Sequence, residues 1–159
     1  MALLGQRNEH AHGTDITKIN VSAATRGVIL CHYTSGSGAG IGDTAGSVSK
    51  SASASGAKVA GLLLNDQVSL DETLYERSRQ KDVMLVNERC TLGRQGTWYT
   101  DEISGSPAVG DTAYLTANGQ VTPTMSATGG LVATPKVGQF STIKNENGFA
   151  GLELNLPVI

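Results

Sequence analysis

Three histidines, two cysteines and one glycine-rich loop are the places where this chain could do chemistry. His10 and His12 form an HxH pair, Cys31 adjoins His32, and Cys90 stands far downstream. Zinc would need about four such ligands around one point. The HxH pair lies in a polar segment, and neighbours on a strand, as Cys31 and His32 would be, project to opposite faces. No metal ligand set is therefore expected. The loop "GSGAGIGDTAG" could offer backbone N–H groups to a phosphate. It lacks GxxxxGK[ST], and Ile41 and Asp43 occupy the positions where GxGxxG needs its third glycine. No helix pattern follows it, so no nucleotide cofactor is expected either.

Nucleophilic catalysis would need Ser or Cys beside a histidine and an orienting carboxylate. The chain has many serines but no GxSxG elbow, and no histidine follows His32. Cys31 reads as a small apolar core residue beside a surface imidazole. The acidic pairs Asp71-Glu72 and Asp101-Glu102 are adjacent, which on a strand separates the carboxylates, a poor start for paired acid-base work. No catalytic residue is expected and the chain is not read as an enzyme.

Composition narrows the partners. Lys plus Arg number 12 against 14 Asp plus Glu, so a net charge of -2 supplies no field toward nucleic acid or an anionic membrane. Aromatics are 4% and glycines 20, with Ser, Thr and Ala abundant, material for tight turns and flat strand packing rather than for a small-molecule pocket. Two distant cysteines without a CxxC pair fit a reducing compartment, and the sequence leaves open whether they meet. No run approaches the ~20 apolar residues of a membrane helix, and the start is read as neither signal peptide nor anchor.

The elements that would position any site are short strands. Residues 1–21 are mostly polar, with Leu3, Leu4 and Ile16 among the apolar exceptions, and show no sustained apolar period, so an extended N-terminal arm is expected there. Val28–Cys31 and Val59–Leu64 read as buried strands, with Asn65-Asp66 as a turn. The stretch 46–58, "GSVSKSASASGAK", is either a mobile loop or a strand with little side chain. Ser69 with Glu72 three residues on marks the one candidate helix, "SLDETLYERSRQ". Val83–Val86 and Thr97–Thr100 read as strands around a "GRQG" turn, and Trp98-Tyr99 as one core ring and one interface anchor. In "TAYLTANGQVTPT", Asn118-Gly119 supplies the positive φ pair of a type I′ hairpin. The tail alternates Leu152, Leu154 and Leu156 with Glu153 and Asn155, a period of two. The expected fold is all-β: a small barrel or sandwich of short antiparallel strands, residues 22–159, with the arm and at most one short helix.

The segment "SGSPAVGDTAYLTANGQVTPT … TPKVGQFSTIKNENGFAGLELNLP", together with "KVAGLLLNDQVSLDET", resembles the strand-and-turn grammar of tailed-bacteriophage capsid decoration (cement) proteins. The resemblance runs from about residue 22 to the end, and its motifs are turn chemistry shared with other β virion proteins. It implies a non-enzymatic protein on the exterior of the virion capsid, assembled in the host bacterial cytoplasm. Its partners would be the major capsid protein and sister copies, as a dimer or trimer, without nucleic acid, membrane, cofactor or small-molecule substrate. The polar arm and the Ser/Gly-rich stretch 35–57 depart from the simplest members. Leu3, Leu4, Arg7 and Ile16 are the expected capsid or subunit contacts, because isolated apolar residues in a polar arm call for a cover. Two rivals stand beside this reading. One is another virion role, in tail, baseplate or head fibre. The other is a carbohydrate-binding or hydrolytic surface protein, which would need exposed aromatics or converging carboxylates.

Overall fold

The computed structural model describes residues 3–4, 15–33, 47–51, 53–66, 83–84, 86–87, 89–125 and 134–156. These residues form short strands joined by turns, and among them there is one 3₁₀ turn and no α-helix. Five strands close a barrel in the order β2 (Asp15–Asn20), β5 (Ser47–Ser49), β4 (Ile29–His32), β6 (Val59–Asp66) and β8 (Arg89–Gly93). Every pairing in it is antiparallel except β2 with β5. A six-stranded antiparallel sheet lies beside it in the order β1 (Leu3–Leu4), β9 (Gln95–Thr100), β13 (Ala150–Asn155), β12 (Lys136–Phe140), β10 (Thr112–Leu115) and β11 (Val121–Thr122). A two-stranded ribbon, β3 (Ala24–Thr25) with β7 (Val83–Met84), completes the fold. The chain is all-β, a barrel packed on a sheet.

Two apolar cores explain why β4 and β6 read as unbroken hydrophobic runs. Val28, Leu30, Val48, Ala60, Leu63, Cys90 and Leu92 form one cluster, the barrel interior, which Ala24 and Met84 of the ribbon join. Ile29, Cys31, Leu62 and Leu64, from the same two strands, enter the other cluster with Trp98, Phe140, Leu152, Leu154 and Leu156. A strand alternates its side chains between faces, so a strand with core on both sides has no polar position. In β6 the alternation slips by one residue: Leu30 pairs with Gly61 but Cys31 with Val59, leaving Ala60 as the extra residue of a bulge. That slip lets Ala60 and Leu63 share the barrel interior although three positions separate them.

In the outer sheet the alternation is plain along β9 and in β13 from Leu152 onward. Trp98 stands opposite Leu152 and Ala150 opposite Thr100, all buried. Thr97 stands opposite Glu153 and Gln95 opposite Asn155 on the far face. The alternation of the terminal leucines therefore has the expected orientation.

The hairpin β10–β11 turns where Asn118-Gly119 predicts, with φ of 62° and 83° at those two residues. The connection is a single 3₁₀ turn, Ala117–Gly119, closed by Thr116 N–H donating to Gln120 O at 2.8 Å. Its tip is docked rather than free. Asn118 N–H donates to Ser51 O at 2.9 Å, and a Cβ on Gly119 would sit 2.5 Å from Ile29 O and 3.2 Å from Val28 Cβ. Glycine thus serves two needs there, the left-handed backbone and the approach of the tip to β4.

Four expectations change. Residues 15–20 are a barrel strand, not arm: Asp15–Asn20 pairs with β8 from Asp15↔Gly93 to Ile19↔Arg89 and with β5 at Ile19 and Asn20. A strand between two partners is held by ladder hydrogen bonds, which leave no apolar period to read. Asn65-Asp66 is no turn; β6 continues through both, opposite Thr91 and Cys90. "GRQG" is no hairpin: β8 ends in the barrel at Gly93, β9 starts in the sheet at Gln95, and the chain crosses between layers at Arg94. The strand expected over Val83–Val86 stops at Met84, and Asn87 turns with φ of 68°. The candidate helix at "SLDETLYERSRQ" lies outside the described residues.

Gly56 offers a control for Gly119, because its φ of 69° is also positive while a Cβ there would meet nothing within 4 Å. Gly56→Ala is expected to cost about 1–2 kcal/mol, the left-handed penalty alone. Gly119→Ala should cost about 3 kcal/mol or more, because the contact with Ile29 O adds to it. Urea unfolding of the two variants measures the difference, and equal losses would mean the tip does not press on β4.

Candidate functional site

Two surfaces stand out once the fold is in place. The first is a groove of about 620 Å³ at the end of the barrel where β4 and β5 run out and β6 begins. Its described walls are Cys31 to Tyr33, Ser49 to Ser51, Ser53 and Ser55 to Lys58, so among the described residues they carry Lys50, Lys58 and His32 but no carboxylate. His32 N–H donates to Lys58 O at 2.8 Å and Tyr33 N–H to Ser47 O at 3.1 Å, which ties the strand ends together. The serine wall is fixed at further points. Lys50 N–H donates to Ser22 Oγ at 3.1 Å, Ser51 O accepts from the hairpin tip, and the Ser51 hydroxyl donates to Ser53 O. Ala57 N–H donating to Ala54 O at 3.3 Å closes the turn over Gly56.

The second surface is the outer face of the six-stranded sheet. The registers Thr112↔Gln139, Gln139↔Glu153 and Glu153↔Thr97 lay one polar row across four strands. Tyr99 stands opposite Gly151, and Tyr114 opposite Lys136 and Thr122, so a half-buried ring flanks the row on either side of the sheet. The turns at one end of this sheet are self-capped. Asp111 Oδ2 accepts from Ala108 N–H at 2.8 Å in "AVGD", and Asn145 Oδ1 accepts from Asn147 and Phe149 N–H in "NENG". They expose Val109 and Ile143.

Leu3 and Leu4 pair with Thr100 and Tyr99 as the edge strand of the sheet, and Ile16 stands opposite Leu92 in the barrel. Arg7, His10, His12 and the glycine loop lie outside the described residues. Of the expected contact residues, Leu3 and Leu4 are therefore at a sheet edge and Ile16 is in the barrel. Trp98 is buried, the expected core ring, while Tyr99 is half-buried on the opposite face. Glu102 carboxylate accepts from Gln120 Nε2 at 3.3 Å, and Asp101 is on the preceding bend. The groove went unread because serine and alanine carry little pattern. The one available signal was Lys50 and Lys58 bracketing the serine run.

Cys31 and Cys90 form no disulfide and are buried in different cores, with β6 between their strands. Among the described residues no three His, Cys, Asp or Glu side chains gather as a metal site would require. Burial raises the Cys31 thiol from its ordinary 9.0 to about 11, which keeps it protonated and a poor nucleophile at neutral pH. The folded state then holds that proton more tightly than the unfolded chain. Stability should fall as pH rises from 9.0 toward 11. Cys31→Ala should flatten that slope in urea titrations against the parent, and an unchanged slope would show that the thiol environment is not responsible.

No protein-family model matches the chain, and no curated protein matches it.

Proposed function

We propose that this chain is a virion structural protein that binds the outside of a phage head and cements the lattice of the major capsid protein. The observation that carries the reading is the outer sheet face, a row of polar side chains aligned across four strands between two tyrosines, on a frame whose other face is core. The segment that resembles decoration proteins, "AVGD" through the terminal leucines, supplies most of that sheet as β10 to β13. Such a face suits shape-matched contact with a repeating protein surface.

Its size sets how binding would work. Six strands at ~4.8 Å spacing and six residues at ~3.3 Å rise give roughly 24 by 20 Å, about 480 Å². A standard interface buries about 800 Å² per partner, so this face alone holds one copy weakly. Val109 and Ile143 extend it in the end turns, and Leu4 borders it at the register of Tyr99. Contact between sister copies on the shell raises the effective concentration of each and turns weak contacts into lasting occupancy.

Titrating the protein onto expanded, undecorated heads and sedimenting them tests the reading. Saturation at a fixed ratio to the major capsid protein, with raised heat resistance of the head, is expected. The double variant Tyr99→Glu/Tyr114→Glu should lose about tenfold or more in occupancy at unchanged melting temperature, since like interface aromatics it forfeits ~1–2 kcal/mol. Failure to bind heads overturns the reading, and binding to tails or baseplates instead would move the protein there.

A further inference from the structure

We propose that the groove at the mouth of the barrel is a docking site for a carboxylate-rich peptide segment of a partner protein. This stands on the groove alone and does not depend on the virion reading. At about 620 Å³ it has the volume of an organic ligand site, well beyond what one small anion fills.

Charge selects the occupant. Lys50 follows the end of β5 and Lys58 precedes the start of β6, so the ends of two strands each bring a lysine to the lining of the groove. Among the described residues that line it, none is acidic. On a chain of net charge -2 this is a local cationic site in a mildly acidic molecule. An ammonium is a point charge with rotatable donors, suited to single carboxylate oxygens, and no arginine fork that would favour a phosphate lines the groove. The hydroxyls of Ser49 and Ser53 add neutral polar groups that can meet carboxylate oxygens and peptide groups alike.

The wall is formed before any ligand arrives. Ser22 Oγ accepts Lys50 N–H, and the hairpin tip holds Ser51 through Asn118 N–H. A wall fixed from the barrel and from the sheet loses little freedom on binding, which favours affinity. A Cβ on Gly56 would meet nothing within 4 Å, so the turn itself does not crowd the groove.

Fluorescence anisotropy of the full chain with labelled hexaglutamate, at about 50 mM and about 300 mM salt, tests this, with amide NMR to locate the peptide. One saturable site is expected, weaker at the higher salt, with shifts centred on residues 49–58. Lys50→Glu/Lys58→Glu should weaken binding about tenfold or more, and Lys50→Arg/Lys58→Arg should retain it. Thermal melting of each variant separates lost binding from lost folding. Shifts outside residues 49–58, or equal binding by a folded charge-reversed variant, would overturn the proposal. So would inorganic phosphate or an oligonucleotide shifting the same amides while hexaglutamate does not.

Discussion

The fold depends on two strands that have no outside. Ile29–His32 and Val59–Asp66 separate two cores, one within the barrel and one beneath the sheet, and each strand must satisfy both. Large side chains on both faces would push the layers apart. The bulge at Ala60 and the close approach of Gly61 to β8, where a Cβ would sit 2.9 Å from Gly93 O, keep them together. Because both layers pack on the same backbone, neither can shift without disturbing the other core.

The stitches between layers follow from that arrangement. β8 passes into β9 at Arg94, so one continuous chain belongs to the barrel and then to the sheet. Thr100 Oγ1 donates to Gly27 O at 3.1 Å in buried surroundings, joining β9 to the turn before β4. Leu156 N–H donates to Arg94 O at 3.1 Å and ties the end of β13 to the crossing. The hairpin tip adds the contact with Ile29 and Ser51. Buried polar groups paired in this way contribute modestly each and penalise any arrangement that leaves them unpaired.

The two surfaces proposed for recognition on this frame differ in chemistry. The sheet face is broad and shallow, suited to a flat repeating partner that supplies avidity. The groove is concave and cationic, suited to a narrow acidic segment. Both are set on strands or strand ends whose backbones are paired, which positions contact groups better than a free loop does. Cys31, protonated by burial between the groove and the inter-layer core, adds packing rather than reactivity.

Local chemistry was readable from the chain. The alternation at Leu152 to Leu156, the hairpin at Asn118-Gly119 and the apolar runs at Val28–Cys31 and Val59–Leu64 all rest on spacing within one strand or turn, which sequence carries directly. What tertiary structure decided was the company each strand keeps. Asp15–Asn20 has no apolar stripe and gains its place through hydrogen bonds to β8 and β5. "GRQG" has the residues of a turn yet serves as a crossing between layers, because Gly93 and Gln95 pair with different sheets. Lys50 and Lys58 are eight positions apart in a bland serine run, and the pairing of β5 and β6 with the two sides of β4 brings them to one groove. Spacing along a chain encodes which face a residue takes; which strand lies across from it is fixed by the pairing that closes both cores.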